Sequence, residues 1–173
     1  MDWIDCLARG GKLGRSLVYR GEHAGADELP RRAEDPLART PKAPREVPID
    51  LPGWVLNSVS LRAFNGLYYR KGRAAAGAGL SDLETFFYPL DRIHHWNRIY
   101  GRRGFVQYQC VLPKATSRAG LIRLLERIAA AGTGSFLAVL KLFGQGGAGP
   151  LSFPMAGYTL ALDFPARVGV VNL

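Results

Sequence analysis

The chain is poor in cysteine, in acidic residues and in uninterrupted apolar runs, and each shortage removes a class of protein. Cys6 and Cys110 are its two cysteines, too few for a disulfide framework, and both lie in apolar, strand-like stretches that suit reduced core residues. The three histidines, His23, His94 and His95, are not spaced at i and i+4, and no Cys or carboxylate cluster joins them to complete a metal site. The longest uncharged run, Leu142 to Leu162, could span a bilayer by length but contains GQGGAGP and then Pro154 and Gly157, which exclude a continuous spanning helix. The opening MDWIDCLARGGK lacks a basic segment followed by an apolar core, so it does not read as a signal peptide. Acidic residues number 14 against 23 Lys and Arg, a formal charge of +9, which favours an anionic partner such as a phosphate, a nucleic acid or an acidic membrane surface.

What is present is a folded chain: 173 residues, 47% hydrophobic and 10% aromatic, enough for one domain with a sizeable core. Strands are expected over Asp2 to Ala8 and at SLVYRG, with RGGKLGR as the turn between them. From Glu22 to Gly53 prolines and charges replace any apolar period, and an extended, mobile loop is expected over 22–53. WVLNSVSLRAFNGLYYRKGR fits a helix capped by Asn57 or Ser58, with Leu56, Val59, Ala63, Phe64 and Leu67 on its apolar face. DLETFFYP reads as extended up to Pro89, followed by a short helix capped by Asp91.

The last third shows the clearest pattern. In GFVQYQCVLP, Val106, Tyr108, Cys110 and Leu112 form an apolar face opposite Phe105, Gln107, Gln109 and Val111. Thr116 or Ser117 is the expected cap of a helix carrying Leu121, Leu124, Leu125 and Ile128 and ending at Gly132. SFLAVLKLFG and GYTLALDFP alternate in the same way, placing Lys141, Thr159 and Asp163 on the face of the glutamines. The fold class is therefore α+β: an antiparallel sheet with helices packed on one face and the other face open to a ligand.

A sheet face in water ordinarily carries polar residues without any function. Here the polar groups are few and embedded among Phe105, Val111, Leu137, Val139 and Phe143, and an apolar surface with a few fixed donors and one cation is how a ligand site is lined. Competing motifs are weaker. GQGGAGP lacks the Gly-Lys-Ser/Thr ending of a phosphate loop, and Asp91 and Asp163, each near a proline-bounded strand end, fit capping as readily as acid–base chemistry.

FFYPLDRIHHWNRIYGRRGFVQYQCVLP, SFLAVLKLFG and LSFPMAGYTLALDFP, in that order, resemble the substrate-binding region of FAD-dependent oxidoreductases of the vanillyl-alcohol-oxidase superfamily. The nearest group is the decaprenylphosphoryl-β-D-ribose 2′-oxidase family, with aldonolactone oxidases such as D-arabinono-1,4-lactone oxidase as more distant relatives; DWIDCLARGGKLGRSLVYRGEHA resembles that family's first substrate-domain strands. The resemblance implies that residues 1–173 form a substrate-binding domain whose sugar lies between an open sheet face and a flavin. By motif matching, Gln107 and Gln109 would meet flavin and sugar, Lys141 and Phe143 would line the pocket with Trp3 along its wall, and Lys141 and Gln109 would serve the chemistry. Thr159 would join the substrate-binding set, and Thr159 and Ala161 stand where family members carry Asn and Cys.

The resemblance further implies FAD as cofactor, bound by an FAD-binding domain of the same or a neighbouring polypeptide. The expectation is that this chain lacks that domain, does not hold FAD and is inactive alone. A sugar or lipid-linked sugar is the implied substrate and a short-chain dehydrogenase the implied partner. The implied location is the cytoplasm, with attachment at the inner membrane face as an extension of it. The alternative from another class is a non-enzymatic basic module for an anionic partner such as nucleic acid, with YYRKGR as its sequence support.

Overall fold

Alternation with a period of two builds the centre of the molecule. The computed structural model describes residues 2–25, 27–29, 43–88, 90–149 and 152–166. In chain order its elements are β1 (Asp2–Ile4), β2 (Ser16–Val18), β3 (Arg45–Glu46), α1 (Ser58–Ala74), α2 (Leu83–Phe87), β4 (Ile93–His94), β5 (Phe105–Pro113), α3 (Lys114–Ala131), β6 (Leu137–Phe143) and β7 (Gly157–Pro165), with 3-10 turns at Gly10–Lys12 and Trp96–Tyr100. Five strands form one sheet in the order β2-β1-β6-β7-β5, every pairing antiparallel. The α+β expectation holds.

Directly opposed residues share a face, so the register sorts the side chains. One face carries Ile4, Ala138, Leu140, Cys110, Leu160, Leu162 and Phe164, and α3 lays Leu121, Leu125 and Ile128 against it. Fully burying each such side chain stabilises by about 2 kcal/mol relative to leaving it in water, which is why α3 docks here. The helix stops at Gly132, whose positive φ of 70° lets its N–H turn back to the carbonyls of Ile128 and Ala129. It starts earlier than the hydroxyls suggested. The strand runs straight into the helix through Pro113, and Thr116 and Ser117 donate to the carbonyls of Pro113 and Lys114 rather than capping it.

The opposite face is covered at its two ends. At one end α1 packs over Trp3 and Leu17: the Tyr68 ring lies 4.9 Å from that of Trp3, and Gly72 passes so close to Leu17 that a methyl group there would collide with it. At the other end the Trp96–Tyr100 turn sets Trp96 and Tyr100 against Phe105, with ring centroids 5.3 and 4.8 Å away. Between them the sheet is open.

Several local expectations are corrected. Asn57 caps α1 as expected, its Oδ1 accepting from Val59 N and Ser60 N while Ser60 Oγ accepts from Asn57 N. The buried face, however, is Leu61 and Asn65, and Val59 and Leu67 are 72% and 61% exposed. DLETFF is not extended, because Asp82 caps α2 by accepting from Thr85 N at 2.9 Å. No helix starts at Asp91; a turn there leads into β4. On β5 the apolar face is only partly covered, with Val106 and Tyr108 46% and 49% exposed, since α3 reaches Cys110 and Leu112 but stops short of them. The outer edge of β5 has no partner strand among the described residues.

Within 22–53, residue 26 and residues 30–42 lie outside the described residues. Further along, β3 pairs in parallel with β4. Arg98 donates to the carbonyls of Val47 and Pro48, both at 3.0 Å, and its own carbonyl accepts from Leu51 N.

The face chosen by α1 is set by Asp5. This carboxylate, 3% exposed, accepts from Leu7 N at 3.1 Å and from Asn65 Nδ2 at 2.7 Å through Oδ1, while Oδ2 is paired with Arg15. The Arg15 guanidinium in turn stacks 4.6 Å over the Tyr69 ring of α1. Removing one partner of a buried ion pair strands the other, at a cost of about 3 kcal/mol or more. Asp5→Ala should therefore lower the urea midpoint by that equivalent, and a loss below about 1 kcal/mol would place the docking of α1 elsewhere.

Candidate functional site

Two-residue steps along β5 set Gln107 and Gln109 on the open face, about 7 Å apart. Across the sheet, Gln109, Ala161, Val139 and Trp3 form one row, while Lys141, Thr159 and Val111 form the next, and Leu137, Asp163 and Gln107 flank the other side. Gln107, Gln109 and Lys141 are exposed, whereas Thr159 and Asp163 are buried at 0% and 2% exposure. Ala161, with the smallest side chain of its row, is the low point of the surface.

The glutamines are held from below. Gln107 Nε2 donates to Asp163 Oδ1 at 2.9 Å, and Gln109 Nε2 donates to Thr159 Oγ1 at 3.0 Å. The Thr159 hydroxyl in turn donates to the Cys110 carbonyl at 2.8 Å. Lys141 has no hydrogen bond or ion pair among the described residues, so its ammonium is available to an anion. An apolar floor of Val111, Val139 and Ala161 with two amides and one cation suits a small polyhydroxylated molecule bearing negative charge.

Of the residues expected at the site, Gln107, Gln109 and Lys141 are exposed on one open face, whereas Thr159, expected to bind substrate, is on the same face but buried beneath Gln109 and out of a ligand's reach. Phe143 lies two residues beyond Lys141 on the same face, half-buried. Trp3 shares the face but is 9% exposed beneath Tyr68, so it supports the floor from one end. Asp163, weighed in the sequence as a capping residue, is instead the buried anchor of Gln107. Period-two alternation opposite Gln107 was the available signal. Tyr100 was not singled out at all: it is 4% exposed with its hydroxyl unpartnered, and burial together with the nearby Asp163 carboxylate pushes its phenol far up.

Other candidates play structural parts. His95 adopts a left-handed conformation at φ 54° and sits 3.6 Å from Glu46, and no metal-ligating cluster occurs among the described residues. Cys6 is a buried free thiol whose Sγ accepts from Ser135 N, and burial pushes it up to about 11. The tyrosines of YYRKGR are occupied, Tyr68 against Trp3 and Tyr69 beneath Arg15, and so do not form a free stacking platform for bases.

Among known proteins, the chain is 36% identical to decaprenylphosphoryl-beta-D-ribose oxidase of Mycolicibacterium smegmatis over 169 residues, which is 97% of this chain and 36% of that protein. It is 34% identical over 172 residues to an uncharacterized protein in the mprA 5′ region of Streptomyces coelicolor, 95% of this chain and 46% of that one. The chain thus spans less than half the length of either relative. No family model matches it. The first likeness supports the family that the sequence motifs resemble, that relative being named as a ribose oxidase.

Burial raises the Asp163 carboxyl above its ordinary value of 3.8, and the Gln107 bond lowers it in part. A carboxyl raised in the folded state contributes most to stability below the unfolded value, and that contribution falls as pH rises toward the folded one. Asp163→Asn removes this fall. Its stability relative to wild type should therefore climb as pH rises above about 4, measured by urea unfolding at a series of pH values; a difference independent of pH would contradict the burial of an ionisable group here.

Proposed function

We propose that this chain is the substrate-holding part of an FAD-dependent oxidoreductase of the decaprenylphosphoryl-β-D-ribose oxidase family, and that it receives a phosphorylated ribose on the open sheet face. The observation that carries the proposal is the set of Gln107, Gln109 and Lys141 around Ala161, in a chain similar over 97% of its length to a protein named for that oxidation. The neutral amides orient hydroxyls without competing for a proton. Lys141 supplies the cation that a phosphate, or the alkoxide left when a hydroxyl loses its proton, requires.

The described residues fit one side of a bound flavin and not its pyrophosphate. Gln107 and Gln109 can meet the polar edge of the ring, whereas a pyrophosphate needs a cradle of free backbone N–H groups. The N-termini of α1 and α2 are closed by Asn57 and Asp82, and no glycine turn precedes α3. The pyrophosphate is therefore assigned to an FAD-binding domain in the same or a neighbouring polypeptide. FAD, when bound, supplies the hydride acceptor, so that the carbinol carbon loses hydride, its hydroxyl loses a proton and a keto sugar remains. A short-chain dehydrogenase is the further partner that the family resemblance adds. Among the described residues no helix is long and apolar enough to cross a membrane; the proposal places the protein in the cytoplasm, at the inner membrane face if the sugar is carried on a lipid.

In the complete flavin-loaded protein, Lys141→Ala should slow flavin reduction by the ribosyl phosphate on the order of a hundredfold, as for loss of one preorganised electrostatic partner. Stopped-flow bleaching of the flavin band reads the rate, with FAD content as the control. Reduction at the wild-type rate would return Lys141 to an ordinary surface lysine.

A further inference from the structure

Thr159 and Asp163 lie beneath the exposed glutamines, and neither is accessible to a ligand. Thr159 is isolated from solvent, yet its hydroxyl makes two hydrogen bonds of fixed direction. The Cys110 carbonyl can only accept, so the Thr159 proton goes there at 2.8 Å. The same oxygen must then accept from Gln109, which forces the Nε2 end of that amide downward, at 3.0 Å. Gln107 meets the Asp163 carboxyl, whose Oδ1 accepts from it. Its Nε2 end is therefore also turned down, at 2.9 Å from Asp163 Oδ1.

We propose that Thr159 and Asp163 are positioning residues that lock both amides with their carbonyl oxygens toward the ligand, so that the face selects a molecule presenting two hydroxyl donors beside an anionic group. This rests on the proposed sugar site and narrows its ligand class. The two amides spring from backbone positions about 7 Å apart along one strand, neighbouring sites on one face that suit hydroxyls on adjacent carbons of a furanose. One N–H of each Nε2 is taken up by its buried partner, and the cation that the open face offers among these groups is the Lys141 ammonium. A ligand with one hydroxyl would leave one carbonyl without a partner once water is excluded, and an unsatisfied buried acceptor is what makes a polar site selective. A free-rotating glutamine could present its NH2 instead and would not discriminate.

The probes are β-D-ribofuranosyl phosphate and its 2-deoxy analogue, titrated calorimetrically into the full protein. Wild type is expected to prefer the ribosyl compound on the order of tenfold, the usual loss for one charge-free hydrogen bond left unmade at a polar site. Thr159→Val, which keeps shape and removes the hydroxyl, should collapse that preference to near unity, and Thr159→Ser should restore it. Asp163→Ala should do the same as Thr159→Val if it folds. The Gln109 side-chain amide gives a second readout by NMR: the Nε2 proton bonded to Thr159 Oγ1 should exchange more slowly than its geminal partner in wild type and in Thr159→Ser, and the two should exchange alike in Thr159→Val. Equal discrimination by wild type and Thr159→Val overturns the inference, as does tight binding of both sugars without preference. Binding of neither sugar by wild type overturns the ribosyl site itself.

Discussion

Asp5 is the constraint on which the arrangement of the site depends. It ends β1, holds Arg15 from the returning turn, and draws Asn65 of α1 down to the sheet. A buried carboxylate with no partner is untenable, so the helix must present Asn65 inward even though the apolar period of its sequence favours a different stripe. That choice brings Tyr68 over Trp3 and Gly72 over Leu17. The helix then covers the β1–β2 end of the face and no more, while the aromatic cluster of Trp96, Tyr100 and Phe105 closes the opposite end.

The glutamines of β5 consequently look onto an open strip of sheet bounded by packed rings. Small apolar side chains line its floor, and the two glutamines above it are each fixed from below by a buried partner. Such preorganisation matters more than the number of contacts, because groups already held in place need no reordering when a ligand arrives. Outside the face, Val106 and Tyr108 are exposed beside the outer edge of β5, which has no partner strand among the described residues. The path β5–α3–β6–β7, in the spatial order β6-β7-β5, is one helix and three strands of a split β-α-β arrangement.

The sheet and the sidedness of Gln107, Gln109, Lys141 and Thr159 were legible in the sequence because strand alternation is local and strict. The cap at Asn57 and the stop at Gly132 were legible for the same reason. What the sequence concealed came from tertiary contacts. Asn65 is buried because Asp5 lies sixty residues away in the chain, Val106 is exposed because α3 covers only the far half of β5, and Asp163 is an anchor because the register sets it opposite Gln107. The helix at Leu83–Phe87 was missed for a different reason: its Asp82–Thr85 cap is local, but the aromatic run after it reads equally well as a strand.

A crystal structure of the protein with β-D-ribofuranosyl phosphate tests the central claim most directly. The account predicts the sugar over Ala161, with hydroxyls on the carbonyl oxygens of Gln107 and Gln109 and the phosphate within hydrogen-bond reach of Lys141 Nζ. Sugar phosphate bound elsewhere, such as in the groove beside Arg123 and Arg127 of α3, with the sheet face empty, would contradict it.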